Sequence, residues 1–328
     1  MQKRKLGATG PAVSALGLGC MGMSDFYGPT DRAESIATVN AALDAGIDLL
    51  DTGDFYGMGH NEMLLGEALR GVPRGSYLLS VKFGAQRGPD GSWLGYDASP
   101  AAVKTALTYS LRRLGTDYID VYRPARLDPD VPIEETVGAI AEMIDEGYVR
   151  FVGLSEVSGA TVRRASTVHP VVDLQIEYSI VSRGIEREIL PALRELGVGV
   201  TAYGVLSRGL LSERAADAAR TRGRFPRFQG ENLRHNLSLV EALRAIAAEK
   251  EATVAQLAIA WALARGDDVV PLIGARRRER LAEALGALRL RLSPEDLARI
   301  ERAVPADAVA GDRYDTHAMA QLDSERGP

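Results

Sequence analysis

Short apolar runs alternate with amphipathic stretches along the whole chain. The runs fall near residues 14–18, 45–50, 77–82, 118–122, 149–155, 171–179, 198–204 and 269–274. Apolar runs of this length, bounded by turn signals, read as strands buried on both faces, which is the signature of a parallel sheet. Helical spacing recurs between them. Ile36, Val39, Ala42 and Leu43 recur at that spacing in a stretch of about 31–45. Ser99-Pro100 opens a helix running to 114, with serine as cap and proline in a turn that needs no N–H. Further helices are expected at 60–69, 133–146, 159–168, 185–196, 236–249, 253–265, 278–287 and 294–302. Residues 3–13 read as a small hairpin turning at Gly7–Gly10, and a polar segment rich in Arg and Gly, 207–234, interrupts the pattern after the seventh run.

Eight strands alternating with helices over 328 residues is the count of a (β/α)8 TIM barrel, closed by right-handed crossovers, with an N-terminal β-hairpin and a long loop after strand seven. A doubly wound open sheet is the alternative. No break in composition or long linker divides the chain, so 1–328 reads as a single domain.

Composition removes several function classes. Apolar residues make up 46% and charged residues 25%, as in soluble globular proteins, and a net charge of −5 gives no support for nucleic-acid binding. The single cysteine, Cys20, excludes an intrachain disulfide and a cysteine-rich metal site, and the four histidines lack ligand spacing, so no metal is expected. KRK at 3–5 followed by PAVSALGLGC imitates a signal peptide, but Pro11, Gly17 and Gly19 suit a strand and loop better. No stretch reaches the roughly 18 apolar residues of a membrane span. A cytoplasmic protein with no membrane partner is the expectation; oligomeric state carries no signal in the sequence.

In a barrel of parallel strands, chemistry gathers at the carboxyl ends. Those ends read Gly19-Cys20-Met21, Asp51 with Tyr56, Lys82, Arg123 to Arg126, Ser155-Glu156, Gln175, Tyr203, and Gly274 to Arg280. Lys82 closes an apolar strand, an expensive place for an ammonium without a partner, and Asp51 is the natural one. A phenol near that cation would have its pKa, ordinarily about 10, drawn down toward neutrality, giving a proton donor for neutral pH. Taken alone, DTGDFYG reads better as a capping carboxylate over a packed phenol. No Rossmann fingerprint or P-loop is present. Arg276, Arg277, Arg278 and Arg280 follow strand eight, where barrels bind phosphate, although on charge alone they read as a solvated helical turn.

With these residues in place, the sequence resembles the aldo-keto reductases, most of all the bacterial and fungal branch of pyridoxal reductases and related aldehyde reductases. The matching stretches are LGLGCMGMSDFYG (16–28), DAGIDLLDTGDFYGMGHNEMLLGEAL (44–69), SVKFG (80–84), SLRRLGTDYIDVY (110–122), GYVRFVGLSE (147–156), LQIEYS (174–179), TAYGVLSRGLL (201–211) and PLIGARRRERLAEAL (271–285). The resemblance implies a (β/α)8 barrel that binds NADPH extended across its mouth and reduces a small-molecule carbonyl substrate. It implies that Tyr56 is the general acid, that Lys82 lowers its pKa and that Asp51 holds Lys82. By the same resemblance Tyr203 stacks on the nicotinamide, and Ser155 and Gln175 fix its carboxamide. Gly19, Cys20 and Met21 border the cofactor, and Leu206, Ser207 and Gly209 cover the pyrophosphate. Gly274, Arg276, Arg280 and Glu283 match the adenosine and 2′-phosphate region.

This chain departs from the family pattern in three places. Ala125 stands where the family's fourth catalytic residue, a histidine, usually ends strand four. Arg123 shares its strand parity and is expected to turn toward the mouth as an electrostatic substitute. Ala284 replaces an asparagine that faces the adenine in many members, and Glu156 follows Ser155 where many have asparagine. In the carboxyl tail, Arg313, Tyr314 and His317 are candidates to contact substrate. The reading is NADPH-dependent reduction of an aldehyde or ketone. The alternatives are an NADPH-binding redox sensor or regulatory barrel with weak turnover, kept open by Ala125, and a lyase using Lys82 as a Schiff-base amine.

Overall fold

In the computed structural model, described for residues 1–24, 27–213 and 215–326, the amino end forms an antiparallel hairpin. Its strands are β1 (Lys3–Lys5) and β2 (Ala12–Ser14), turning where Gly7 takes a positive φ of 61°. Strands β3 (Gly17–Gly19), β4 (Leu49–Gly53) and β5 (Leu78–Phe83) follow. A second hairpin, β6 (Ala85–Arg87) and β7 (Trp93–Tyr96), comes next, then β8 (Ile119–Pro124), β9 (Val149–Ser155), β10 (Val171–Glu177), β11 (Gly199–Tyr203) and β12 (Val269–Gly274). The eight strands outside the hairpins pair in parallel in the order β3-β4-β5-β8-β9-β10-β11-β12. Leu272, Ile273 and Gly274 of β12 close the barrel against Gly17, Leu18 and Gly19. This is the expected (β/α)8 barrel.

The crossover helices are α1 (Arg32–Asp44), α2 (His60–Ala68), α3 (Pro100–Leu114), α4 (Ile133–Asp145), α5 (Gly159–Ser166) and α6 (Ile189–Leu196). After β11 come α7 (Ala215–Arg222), α8 (Gly230–Glu249) and α9 (Val254–Leu263), and after β12 come α10 (Arg278–Gly286), α11 (Pro294–Ala303) and α12 (Thr316–Ala320). Ser99 caps α3 by accepting from the Ala102 N–H, as its sequence predicts. No helix among the described residues is long and apolar enough to cross a membrane.

Three expectations need correction. The first barrel strand lies at Gly17–Gly19, because residues up to Ser14 are committed to the hairpin. The 207–234 segment is not a plain loop: it holds α7 and the first turns of α8. The β6–β7 hairpin was not anticipated, although PDG at residues 89–91 marks its turn. Asp25 and Phe26 of the LGLGCMGMSDFYG stretch, and Arg214, lie outside the described residues.

The barrel interior is layered. At the floor, Leu49, Val121, Val172, Val270 and Leu272 pack with Leu6 and Val13 of the amino-terminal hairpin, which stoppers that end. Above them lies a polar layer of Ser80, Arg123, Asp173 and Thr201. Gly153 makes room for it: a Cβ there would lie 2.8 Å from Val121 Cγ1, 2.9 Å from Asp173 Oδ1 and 3.0 Å from Arg123 Cζ. Gly153→Ala should therefore destabilise the fold by about 1–3 kcal/mol in urea unfolding, by overpacking a layer with no slack. A loss below about 0.5 kcal/mol would show that the layer can yield.

Candidate active site at the barrel mouth

The carboxyl ends of β4 and β5 bring Asp51 and Lys82 together, both buried, with Lys82 Nζ 2.6 Å from Asp51 Oδ1. The other carboxylate oxygen of Asp51 accepts from Gln175 Nε2 at 2.7 Å and from the Ser80 hydroxyl at 2.9 Å. Burial holds the Lys82 pKa below the ordinary lysine value; Asp51 opposes that shift and the Arg123 charge adds to it. Gln175 was expected at the cofactor, and its amide nitrogen is in fact committed to Asp51.

Arg123 does not turn out to the mouth as its parity suggested. It is fully buried in the polar layer, donating to Asp173 Oδ2 at 2.9 Å and to Ser80 Oγ at 3.0 Å. Thr201 donates to the same Asp173 oxygen at 2.6 Å. The expectation of a substrate contact fails because Asp173, one layer down, supplies the counter-charge a buried guanidinium needs.

Tyr56 is buried at the start of the loop after β4, with Lys82 Nζ 5.2 Å from its ring centroid. Gly57, Met58 and Gly59 follow with positive φ, folding the loop tightly into α2. Asn61 ties this loop to its neighbour: it accepts from Thr52 Oγ1 at 2.7 Å and donates to the Cys20 carbonyl at 2.9 Å and to Ser24 Oγ at 2.7 Å. Nothing in the local sequence marked Asn61. The expected downward pull on the phenol is not found. Burial, then the Asp51 carboxylate, push Tyr56 well above the ordinary tyrosine value, while Arg126 opposes them. Asp51 neutralises much of the Lys82 charge that was to lower it. Phe55 packs edge-on against Tyr56, with centroids 4.7 Å apart, and against Trp93 of β7 at 5.9 Å, so the β6–β7 hairpin forms one wall of the mouth.

Ala125 is buried immediately after β8. The next residue, Arg126, donates to the Ala125 carbonyl at 2.7 Å, and its nitrogens lie 3.5 Å from Ser155 Oγ and from the Tyr314 hydroxyl. Ser155 is buried beside Gln175 in the β9–β10 register. The Tyr203 hydroxyl, at the end of β11, donates to Glu156 Oε1 at 2.6 Å and lies 3.0 Å from that of Tyr314.

Glu156 is the anchor of the carboxyl tail. Fully buried and with a positive φ of 54°, it receives both Arg313 terminal nitrogens, at 2.8 and 2.5 Å, and the Ser324 hydroxyl at 2.7 Å. Arg313 and its companions hold the Glu156 carboxyl well below the usual range despite the opposing effect of burial. Asp323 secures the tail further by accepting from the Ser158 N–H at 2.8 Å and from Thr161 Oγ1 at 2.7 Å. Tyr314 is thereby brought into the mouth, whereas His317 is exposed and pairs with Gln321. His60 is also exposed, bonded to Ser24.

Around the rim, Gly19 ends β3 and Cys20 and Met21 follow it, with the Cys20 N–H donating to the Asp51 carbonyl at 2.9 Å. The Cys20 thiol is fully buried and burial pushes its pKa up, so it stays a thiol. Beyond β11, Leu206 precedes a turn in which Ser207, Arg208 and Gly209 take φ of 44°, 53° and 93°. Ser207 Oγ is buried without a hydrogen-bond partner. Arg208 lies 4.4 Å from each of the Phe225 and Tyr314 ring centroids and 3.6 Å from Glu177. Across the mouth, Gly274 ends β12. Arg276 donates to the Tyr27 carbonyl at 2.8 Å, Arg278 pairs with Glu34 at 2.9 Å, and Arg280 pairs with Glu283 at 2.7 Å. Ala284 is buried in the core.

Asp54, two residues before Tyr56, carries a pKa pushed up to about 7, first by burial and then by the neighbouring Glu62 carboxylate; the Gly84 N–H and Arg113 oppose the shift. Its ordinary value is about 3.9. The native state thus binds more protons than the unfolded one between these values, and Asp54 costs stability as pH rises through that window. Asp54→Asn should gain melting temperature relative to wild type on going from pH 5 to pH 8. A difference that does not change with pH would remove Asp54 as its source.

Residues 15–305 match the aldo/keto reductase family. The chain is 42% identical over 321 residues to a probable aldo-keto reductase 1 from Glycine max, covering 96% of this chain and 92% of that protein. Among solved structures it resembles the aldo-keto reductase AKR11C1 from Bacillus halodurans in its holo form, with a TM-score of 0.78, 31% identity, and 97% and 99% of the two chains covered. It also resembles the glycerol dehydrogenase AKR11B4 from Gluconobacter oxydans, with a TM-score of 0.80, 26% identity, and 99% and 97% covered. A closed parallel barrel whose strand ends gather Asp51, Tyr56 and Lys82, matched to the family over most of its length, belongs to the aldo-keto reductases, enzymes that reduce carbonyl groups with a nicotinamide cofactor.

Proposed function

We infer that this chain reduces an aldehyde or ketone with NADPH, Tyr56 giving its proton to the carbonyl oxygen. The observation that carries the reading is a buried phenol beside a buried Lys82–Asp51 pair at the carboxyl face of the barrel. The residues at the rim fit a phosphate-bearing cofactor. Ser207 Oγ is a buried hydroxyl without a partner in a left-handed turn, and the arginines around Arg276 and Arg280 border the first turn of α10. When bound, the nicotinamide supplies the hydride.

This chain's residues supply position, field and proton. Tyr203 offers a flat ring whose hydroxyl is fixed on Glu156, so its face can support a planar group. Ser155, and the carbonyl oxygen of Gln175 left over from its bond to Asp51, suit a carboxamide. Burial, and then the Asp51 charge, keep the phenol protonated until a carbonyl oxygen accumulates negative charge. Arg126 and Lys82 then favour the phenolate left behind. Ala125 adds no donor, which favours a second reading, an NADPH-holding sensor with weak turnover.

Tyr56→Phe should lower turnover of a test aldehyde by about 10²-fold or more while NADPH still binds by fluorescence titration. Unchanged turnover would discard Tyr56 as the acid. Wild-type protein that binds NADPH yet reduces no carbonyl in a broad panel would favour the sensor. Arg276→Ala combined with Arg280→Ala should shrink the preference for NADPH over NADH about tenfold, since a hydrogen bond to a charged group nets about 1.5–3 kcal/mol. A preference that stays the same would place the 2′-phosphate elsewhere.

A further inference from the structure

Among the described residues, Arg126 is a cation with no carboxylate bonded to it. Two other guanidiniums at the mouth are matched, Arg313 by Glu156 at 2.5 Å and Glu325 at 2.7 Å and Arg208 by Glu177 at 3.6 Å, while Arg276, across the mouth, bonds backbone carbonyls. Arg123, one layer down, has Asp173 at 2.9 Å. Arg126 forms no ion pair among the described residues. It has one good hydrogen bond, to the Ala125 carbonyl at 2.7 Å, and two long ones of 3.5 Å to neutral hydroxyls.

The Glu156 charge reaches it, but no Glu156 oxygen bonds it. One Glu156 oxygen already accepts from Arg313, the Tyr203 hydroxyl and the Glu177 N–H, and the other from Arg313 and Ser324. A guanidinium drawn this far from water is expensive without a counter-charge. It is nonetheless partly exposed, so a ligand can reach it. Its surroundings are the reacting end of the site: Tyr56 and Lys82 feel its charge, and Tyr96, Tyr203 and Tyr314 surround it.

We propose that Arg126 determines specificity by pairing with an oxyanion on the substrate, so that this site takes carbonyl compounds bearing a carboxylate or phosphate group. This rests on the reductase reading above. The planar fork of arginine matches either anion in a two-point hydrogen bond, and the substrate then supplies the charge that the protein withholds. Aromatic carbonyls suit the aromatic side chains nearby, since Tyr96 and Tyr314 are close enough to act on Arg126 and Phe55 packs against Trp93.

The test compares kcat/KM with NADPH for 4-carboxybenzaldehyde, 4-formylphenyl phosphate and the neutral 4-methylbenzaldehyde, in wild type, Arg126→Met and Arg126→Lys. Wild type should favour one or both anionic aldehydes about 10- to 100-fold, the worth of a charge-assisted pair. The two anions separately report whether carboxylate or phosphate is preferred. The ratio should collapse toward one in Arg126→Met, and Arg126→Lys should retain part of it, showing that the effect is charge and not lost structure. A wild-type ratio near one overturns the proposal. So does an Arg126→Met variant that slows charged and neutral aldehydes equally, which would put Arg126 at the carbonyl oxygen instead. If wild type reduces none of the three, the reductase reading fails, and benzoate binding by calorimetry decides Arg126 separately. Binding that is lost in Arg126→Met supports the anion site, and no binding to wild type rejects it.

Discussion

Carrying Lys82 into the end of a closed barrel sets the terms for the residues around it. An isolated buried ammonium costs several kcal/mol, so Asp51 must be ionised, close and itself satisfied. It accepts from Lys82 and Ser80 of β5 and from Gln175 of β10. Ser80 is in turn held by Arg123, whose charge is matched by Asp173 and Thr201. The interior thus holds two cations and two anions linked by hydroxyls, and Gly153 is the concession in volume that lets them fit. Tyr56 inherits its proton affinity from this arrangement, with Asp51 opposing the phenolate that the nearby cations favour.

The mouth above that layer is built by segments that are not barrel strands. The β6–β7 hairpin raises an aromatic wall beside Phe55, and the carboxyl tail closes over Tyr203 through Glu156 and Asp323. Glu156 serves as the socket for Arg313, which explains how a charged residue survives fully buried next to Ser155. With Glu156 taken by Arg313 and Glu177 by Arg208, no carboxylate is left to hydrogen-bond Arg126 among the described residues.

Much of this was legible in the chain itself. The eight barrel strands were located to within a few residues, because period and turn chemistry are local properties that a sequence displays directly. Asp51, Lys82 and Tyr56 were legible for a related reason: a polar residue ending an apolar strand lands at the carboxyl face in any parallel barrel. Parity misled at Arg123, since it tells which face a side chain takes but not how far up the barrel its counter-ion sits. The hairpin after β5 had a turn signal but strands only three and four residues long, too short for periodicity to register.

The sequence by itself determined the barrel, the strand ends and the residue types that meet there. Only the tertiary structure decided which charge each of them faces. Arg313 and Glu156 are 157 positions apart, Gln175 and Asp51 are 124 apart, and no local pattern encodes such pairings. A pKa depends on those distances and on burial, so the direction of the Tyr56 shift and the unmatched charge of Arg126 emerge only when the chain is closed on itself.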